Sequence, residues 1–352
     1  MPNAWILMTA LPPTKGHADL ISFARHLPNV GDLHVVLATQ PGEPFIEERT
    51  QVIRKSLTTG RKWITTVGYK AEYIDLYRQK IQQVPKDDQD TAFWDLWVQI
   101  LRKKGLVKGD FIVSSEVYGD KLAEVTDCIH IPYDINRTLR GARATATDVR
   151  KDPIGQFSHI LPEFQRYLRK TVTLFGAESC GKTTLAQALA EELNSLYVPE
   201  YARPFLEHTG PEITSEKMKT IWHGQAALQA LKESPISLNK PFIIQDTDLF
   251  STLGYWLMWD HPPDNGLMND AVDRKSDLYI VCPSNIPFEK DPLRYGGSKR
   301  ESPDEYWINL CKIFELNYVV LKESDPDKRL AEAKRAMIKC FDPKRLQYER
   351  VK

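Results

Sequence analysis

Residues 176–183 read Gly-Ala-Glu-Ser-Cys-Gly-Lys-Thr, a full G-x-x-x-x-G-K-[ST] pattern. The glycines allow successive backbone N–H groups to turn toward an anion, and a helix starting directly afterwards adds the positive end of its dipole. In such a loop Gly176, Glu178, Ser179, Cys180, Gly181 and Thr184 form the nucleotide cradle, Lys182 reaches the β- and γ-phosphates, and Thr183 binds Mg²⁺. An ordinary glycine-rich turn is the competing reading. It is disfavoured by the β-branched run Thr171–Phe175 before the loop and by Leu185, Leu189 and Leu193 at helical spacing after it.

Phosphoryl transfer also needs carboxylates for the metal and for the acceptor's proton. The apolar run Phe242–Gln245 ends in Asp246-Thr247-Asp248, which a strand would deliver to the same sheet edge as the loop. Asp246 reads as the metal-holding acid. Glu200, in Pro199-Glu200-Tyr201-Ala202-Arg203, is the first candidate for the base and Asp248 the second; Tyr201 offers a ring for stacking and Arg203 a cation for phosphate. Taken alone, Glu200 and Arg203 would be a surface ion pair. Asp291–Arg300 combines cations with Gly296-Gly297, as a lid carrying Arg294 and Arg300 would, or as a plain solvated basic loop would.

A second, weaker signature lies near the N-terminus. Thr14-Lys15-Gly16-His17 follows an apolar run and precedes a helical pattern, the place where nucleotidyltransferases set an imidazole against a triphosphate. A capping or packing histidine is the alternative. Thr145, Thr147 and Arg150, in the stretch 143–150, offer hydroxyls and a cation at another helix start, which is either a second phosphate site or a routine N-cap.

These groups require elements to hold them. Short apolar runs alternate with amphipathic stretches throughout, as in parallel sheets covered by helices. Strands are predicted at Trp5–Thr9, Leu33–Thr39, Phe111–Ser115 and Cys128–Ile131, then at Thr171–Phe175, Ser195–Val198, Phe242–Gln245, Leu278–Cys282 and Tyr318–Leu321. Helices are predicted over Ala18–His26 and Thr184–Asn194; Asp87–Asp90 reads as a solvated loop or helix start. The fold class is α/β with two doubly wound parallel-sheet domains: a Rossmann-like nucleotidyltransferase domain at 1–168, then a P-loop kinase domain at 169–352. The 352-residue length accommodates both.

Lys plus Arg and Asp plus Glu number 47 each, so no broad basic face marks a nucleic-acid or membrane-surface binder. Five widely spaced cysteines without a C-x-x-C pair argue against disulfides and zinc, and no run approaches a membrane span. A cytoplasmic chain with small-molecule substrates and no nucleic-acid or membrane partner is expected, with the choice between monomer and homo-oligomer left open.

The ordered motifs, together with Ser115-Glu116-x-Tyr118-Gly119, Asn136-Arg137-Thr138 and Ile286-Pro287-x-x-x-Asp291-x-x-Arg294, resemble the NadR-type bifunctional proteins, which join a nicotinamide mononucleotide adenylyltransferase to a ribosylnicotinamide kinase. The resemblance covers nearly the whole chain. It implies AMP transfer from ATP to nicotinamide mononucleotide in the first domain, with His17, Thr147 and Arg150 holding the triphosphate and Thr14, Lys15, Gly16 and Thr145 around it. It implies Mg²⁺-dependent phosphorylation of nicotinamide riboside by ATP in the second, so that the reactions run in series to NAD. Tyr118 and Trp94 or Trp97 would stack on the pyridinium ring or pack in the core. Met8 and Ala10 stand where the family usually has Gly-x-Phe, and the first strand begins too early for the helix-turn-helix domain some members carry. Three rivals stay open: a single-function nucleoside kinase with a degenerate, nucleotide-sensing N-terminal domain, a nucleotide-binding regulator, and a different kinase fused to a different transferase.

Overall fold

The computed structural model describes residues 1–39, 42–56, 85, 89–139, 144–259, 263, 265–288, 303–341 and 346. The chain divides into two compact units, Met1–Tyr167 with Pro343–Lys352, and Leu168–Asp342.

The first unit holds β1 (Ala4–Met8), α1 (Lys15–Arg25), β2 (Leu33–Leu37), α2 (Ile46–Lys55), α3 (Gln89–Lys103), β3 (Phe111–Ser114), α4 (Tyr118–Thr126), β4 (Ile129–Pro132), α5 (Ala146–Lys151) and α6 (Pro162–Leu168). All strand pairs are parallel, in the order β2-β1-β3-β4. β1 is apolar throughout because it is covered on both faces. Its alternation divides them: Trp5 packs with Val36, Trp97, Ile100 and Leu122, whereas Ala4, Ile6 and Met8 pack with Leu20, Ile21 and Ala24 of α1. Trp97 is thus a core residue and Trp94 leans on the same cluster. Tyr118 Oη donates to the Leu7 carbonyl.

The second unit holds β5 (Lys170–Phe175), α7 (Lys182–Glu192), β6 (Leu196–Val198), α8 (Ala202–Thr209), α9 (Ser215–Gln229), β7 (Phe242–Gln245), α10 (Leu249–Trp259), α11 (Asn265–Asp273), β8 (Leu278–Val281), α12 (Asp304–Ile313), β9 (Tyr318–Val320) and α13 (Pro326–Phe341). The parallel sheet runs β6-β7-β5-β8-β9. Phe175, Trp222, Leu253, Tyr279 and Trp307 form one core cluster, while α7 and α13 pack on each other and on β5. In both sheets the order reverses beside the first strand, and the crevice at the carboxyl ends there is where open α/β sheets bind ligands.

The nine strands expected from the sequence all form, each end within two residues of its predicted place. α7 begins at Lys182 rather than Thr184, because Gly181 takes a left-handed φ of 76° as its N-cap and the loop feeds straight into the first turn.

Candidate active site

The phosphate loop leaves β5 at Gly176, whose φ is 132° and where a Cβ would lie 2.6 Å from the Cys282 carbonyl oxygen. Only glycine fits there. Lys182 Nζ donates to the carbonyls of Gly176 (3.0 Å) and Ala177 (2.6 Å), curling over its own loop. Burial works against its charge, but Cys180, Tyr255, Asp246 and Glu200 around it outweigh that and hold its pKa well above the usual value. Lys182 is therefore a permanent cation.

Thr183 Oγ1 donates to Asp246 Oδ2 at 2.7 Å, and Tyr197 Oη stands 3.5 Å from the same oxygen. Burial, then the neighbouring Asp246, pushes the Tyr197 phenol up to about 12. Asp246 Oδ1 is buried with no hydrogen-bond partner among the described residues. A buried carboxylate oxygen left open beside the loop threonine is the donor set a hard divalent cation takes, so these residues fit Mg²⁺.

A cavity of about 310 Å³ opens over the loop. It is lined by the polar groups of Glu178, Ser179, Lys182, Thr183, Thr184, Glu200, Arg203 and Asp246, with Cys180 and Gly181 between them, and by apolar side chains, Leu206, Ile213, Met218, Ile221 and Met258. Phosphate-binding groups and apolar side chains lining one cavity suit a nucleotide and a flat organic acceptor.

Two candidate residues lie elsewhere. Asp248 is 1% exposed and does not line the cavity. Its Oδ1 accepts from Ser251 N (2.9 Å) and Ser251 Oγ (3.2 Å), capping the start of α10, and its Oδ2 accepts from Tyr279 Oη (2.7 Å). Burial raises its pKa, with the Tyr279 and Ser251 hydrogen bonds opposing. The Tyr201 ring stacks on Phe205 (centroids 5.9 Å apart) and lies against Gly224, where a Cβ would come within 2.2 Å of the ring. Arg294 and Arg300 lie outside the described residues.

Sequence reasoning missed two supports. Arg329 of α13, 4% exposed, donates from Nη2 to the Cys180 carbonyl at 2.7 Å and so braces the loop from behind. Gln225 of α9 lines the cavity and bonds to backbone on both sides of it. Both stand on apolar stripes, Arg329 with Ala333, Met337 and Phe341, and Gln225 with Ile221, Trp222 and Ala226. A polar residue at such a position was the available signal.

In the first unit the distant motifs meet. Arg150 donates from Nη1 to the Leu11 carbonyl and from Nη2 to Thr147 Oγ1 (2.8 Å), which sets its guanidinium on the β1–α1 loop, three residues before Thr14, the N-cap of the helix turn that holds Lys15, Gly16 and His17. His17 Nδ1 accepts from the Thr14 backbone N–H (3.0 Å) and lies 2.8 Å from Thr14 Oγ1. With Nδ1 accepting, the ring proton sits on Nε2, which makes that edge a donor. Thr145 is occupied differently: it is the N-cap of α5, exchanging hydrogen bonds with Asp148. A buried ion pair also missed by sequence, Arg49–Glu43 at 2.6 Å, secures the same loop, since Arg49 Nη1 donates to the Thr9 carbonyl. Arg49 shares its stripe with Val52 and Ile53.

Among the described residues no group of three or more His, Cys, Asp or Glu could hold a metal, and no helix is long and apolar enough to cross a membrane. The five cysteines are free thiols.

The fold and these residues define a transferase with a Rossmann-like nucleotidyltransferase fold followed by a P-loop kinase fold. Residues 171–329 match a family described as an AAA domain. The chain is similar to proteins named NadR. It is 26% identical over 338 residues to the trifunctional NAD biosynthesis/regulator protein NadR of Salmonella typhimurium, covering 90% of this chain and 78% of that one. The protein of the same name from Escherichia coli is 25% identical over 251 residues; the match spans 59% of its length and 67% of this chain. Two crystal structures of NadR protein, one in complex with NR and one with NAD and AMP-PNP, share the fold with TM-scores of 0.56 and 0.57 at 19% identity, covering 100% of this chain and 100% and 99% of theirs.

Proposed function

We propose that the protein is a bifunctional enzyme of NAD biosynthesis: the second unit phosphorylates nicotinamide riboside with ATP, and the first transfers AMP from ATP to the resulting nicotinamide mononucleotide, releasing pyrophosphate. The observation that carries the reading is the convergence of the phosphate loop, Asp246 and Glu200 on one cavity that apolar side chains also line.

In the kinase unit the loop amides and Lys182 bind the β- and γ-phosphates. Thr183 and Asp246 would hold Mg²⁺, which when bound would supply neutralising charge for the transferring group. Glu200 takes the proton of the riboside 5′-hydroxyl as it attacks the γ-phosphorus, while the pyridinium ring lies along Leu206 and Ile221. Arg203 faces the departing charge. In the first unit no covalent intermediate is needed. The nucleotide phosphate attacks the α-phosphorus, and His17 Nε2 with Arg150 stabilises the leaving pyrophosphate.

A second reading, a kinase whose first unit only senses nucleotide, draws on Ala10, which holds a positive φ of 47°, and on Thr145, whose hydroxyl serves the α5 cap. Incubating the protein with nicotinamide riboside, ATP and Mg²⁺ and separating products by chromatography decides between them. Mononucleotide followed by NAD is expected; mononucleotide alone, also when it is supplied at millimolar ATP, leaves the single-function kinase. Lys182→Ala should abolish the first product and spare NAD formation from added mononucleotide, and His17→Ala should do the reverse with a loss of roughly a hundredfold.

A further inference from the structure

Glu200 lies on the loop after β6 and Asp246 on the loop after β7; the sheet ladder holds them as far as the Asp246 N–H, which donates to the Val198 carbonyl at 3.0 Å, two residues short of Glu200. One side chain ties those loops together. Gln225, 1% exposed on α9, accepts at Oε1 from the Tyr201 backbone N–H at 2.8 Å and stands 3.4 Å from Thr247 Oγ1. From Nε2 it donates to the Thr247 carbonyl at 3.0 Å and reaches the Pro199 carbonyl at 3.5 Å. Pro199 and Tyr201 flank Glu200, and Thr247 follows Asp246. A primary amide has two N–H donors and one oxygen with two lone pairs, and all four are directed at these two loops. Gln225 lines the cavity, yet its polar atoms face protein backbone and leave none for a ligand.

We infer that Gln225 is a positioning residue of the kinase site, setting the proton-accepting Glu200 relative to Asp246 and the phosphate loop; this rests on the kinase reading above. The amide is rigid and buried, so its four bonds act as one strut, and near-attack geometry is lost when two catalytic groups drift by about 1 Å. Its effect belongs to kcat. The phosphate loop is held separately, by Gly176, Gly181 and Arg329, so nucleotide binding does not depend on it.

The test uses the full chain with Gln225→Met, which keeps size and removes all four bonds, and Gln225→Glu, which keeps the acceptor for Tyr201 and sets an anion against the Thr247 carbonyl. Kinase kcat is normalised to sites that bind AMP-PNP, and ADP release to water is followed in parallel without any riboside. Both variants should lose at least roughly tenfold in kcat and in ADP release, with AMP-PNP affinity and acceptor KM within about threefold of the parent. Parental kcat in both variants overturns the inference. So does loss of AMP-PNP binding in step with kcat, which marks a general packing role, or a rise in acceptor KM alone, which marks a substrate contact. A parent that releases ADP to water but phosphorylates no riboside counts against the acceptor reading, while the water reaction still reports on Gln225.

Discussion

Thr183 Oγ1 and Asp246 Oδ2 lie 2.7 Å apart, although 63 residues separate them in the chain. The hydrogen bond joins the start of α7 to the end of β7, and it does so because β5 and β7 are parallel neighbours whose carboxyl ends open on the same side. It leaves Asp246 Oδ1 facing the space beside the loop. The arrangement assigns the two acids after β7 to different work.

Asp246→Asn keeps an acceptor for Thr183 but removes the negative charge. Kinase turnover should fall by roughly a hundredfold, and the Mg²⁺ concentration for half-maximal rate should rise. Rates measured across a Mg²⁺ titration test this; an unchanged Mg²⁺ dependence would place the metal elsewhere.

Asp248 and Glu200 separate by the same reasoning. Glu200→Gln should lower kcat by roughly a hundredfold with ATP binding preserved, whereas Asp248→Asn should change kcat only a few-fold. The Asp248 effect appears in stability. Burial raises its folded pKa above that of the unfolded chain, so the stability it contributes is full below the unfolded carboxylate value and is lost as pH rises through the folded one. Asparagine mimics the neutral form at every pH. Melting temperatures of parent and Asp248→Asn, compared from acid to neutral pH, should therefore shift in favour of the variant as pH rises. A shift toward the parent would show a lowered pKa.

Arg329→Met removes a charged donor from the Cys180 carbonyl. A buried hydrogen bond from a charged group is worth about 1.5–3 kcal/mol, so ATP affinity should drop by roughly ten- to a hundredfold, read by calorimetric titration. Arg329→Lys should not restore it, because the ammonium lacks the planar fork that reaches both Cys180 and Asn285. Full recovery in the lysine variant would reduce the role to charge alone.

Ala10, 1% exposed, holds a φ of 47° two residues after the end of β1. A left-handed alanine is strained by about 1–2 kcal/mol, part of which glycine gives back through its freer unfolded chain. Ala10→Gly should thus raise the melting temperature of the first unit by a few degrees at most, and should increase NAD formation if the alanine narrows the nucleotide pocket. A lower melting temperature would mean that the alanine methyl packs better than its backbone is strained.

The strands, the phosphate loop and the acids after β6 and β7 could be read directly, because each is a local pattern: apolar runs of strand length, a spaced Gly-Lys-Thr motif, and carboxylates placed where a strand ends. Asp246 and Asp248 show where that reading stops. They are two residues apart on one loop and chemically identical, and only the packing of α10 and Tyr279 turns one into the core while the other faces Thr183. Tyr201 is similar, since its ring direction was settled by Phe205 and by the room above Gly224.

Arg49, Gln225 and Arg329 were marked in the sequence only as polar residues on apolar helical stripes, with no sign of what they would touch. The backbone carbonyls and N–H groups they reach on other loops lie 22 to 149 residues away. A main-chain group has no residue type, so no motif can name it in advance. The sequence by itself determined which chemistry the chain carries and the order of its elements; the tertiary structure decided which of several equivalent side chains faces the cavity and which buried polar groups hold the catalytic loops in place, because those outcomes depend on non-local packing and on hydrogen bonds to anonymous backbone.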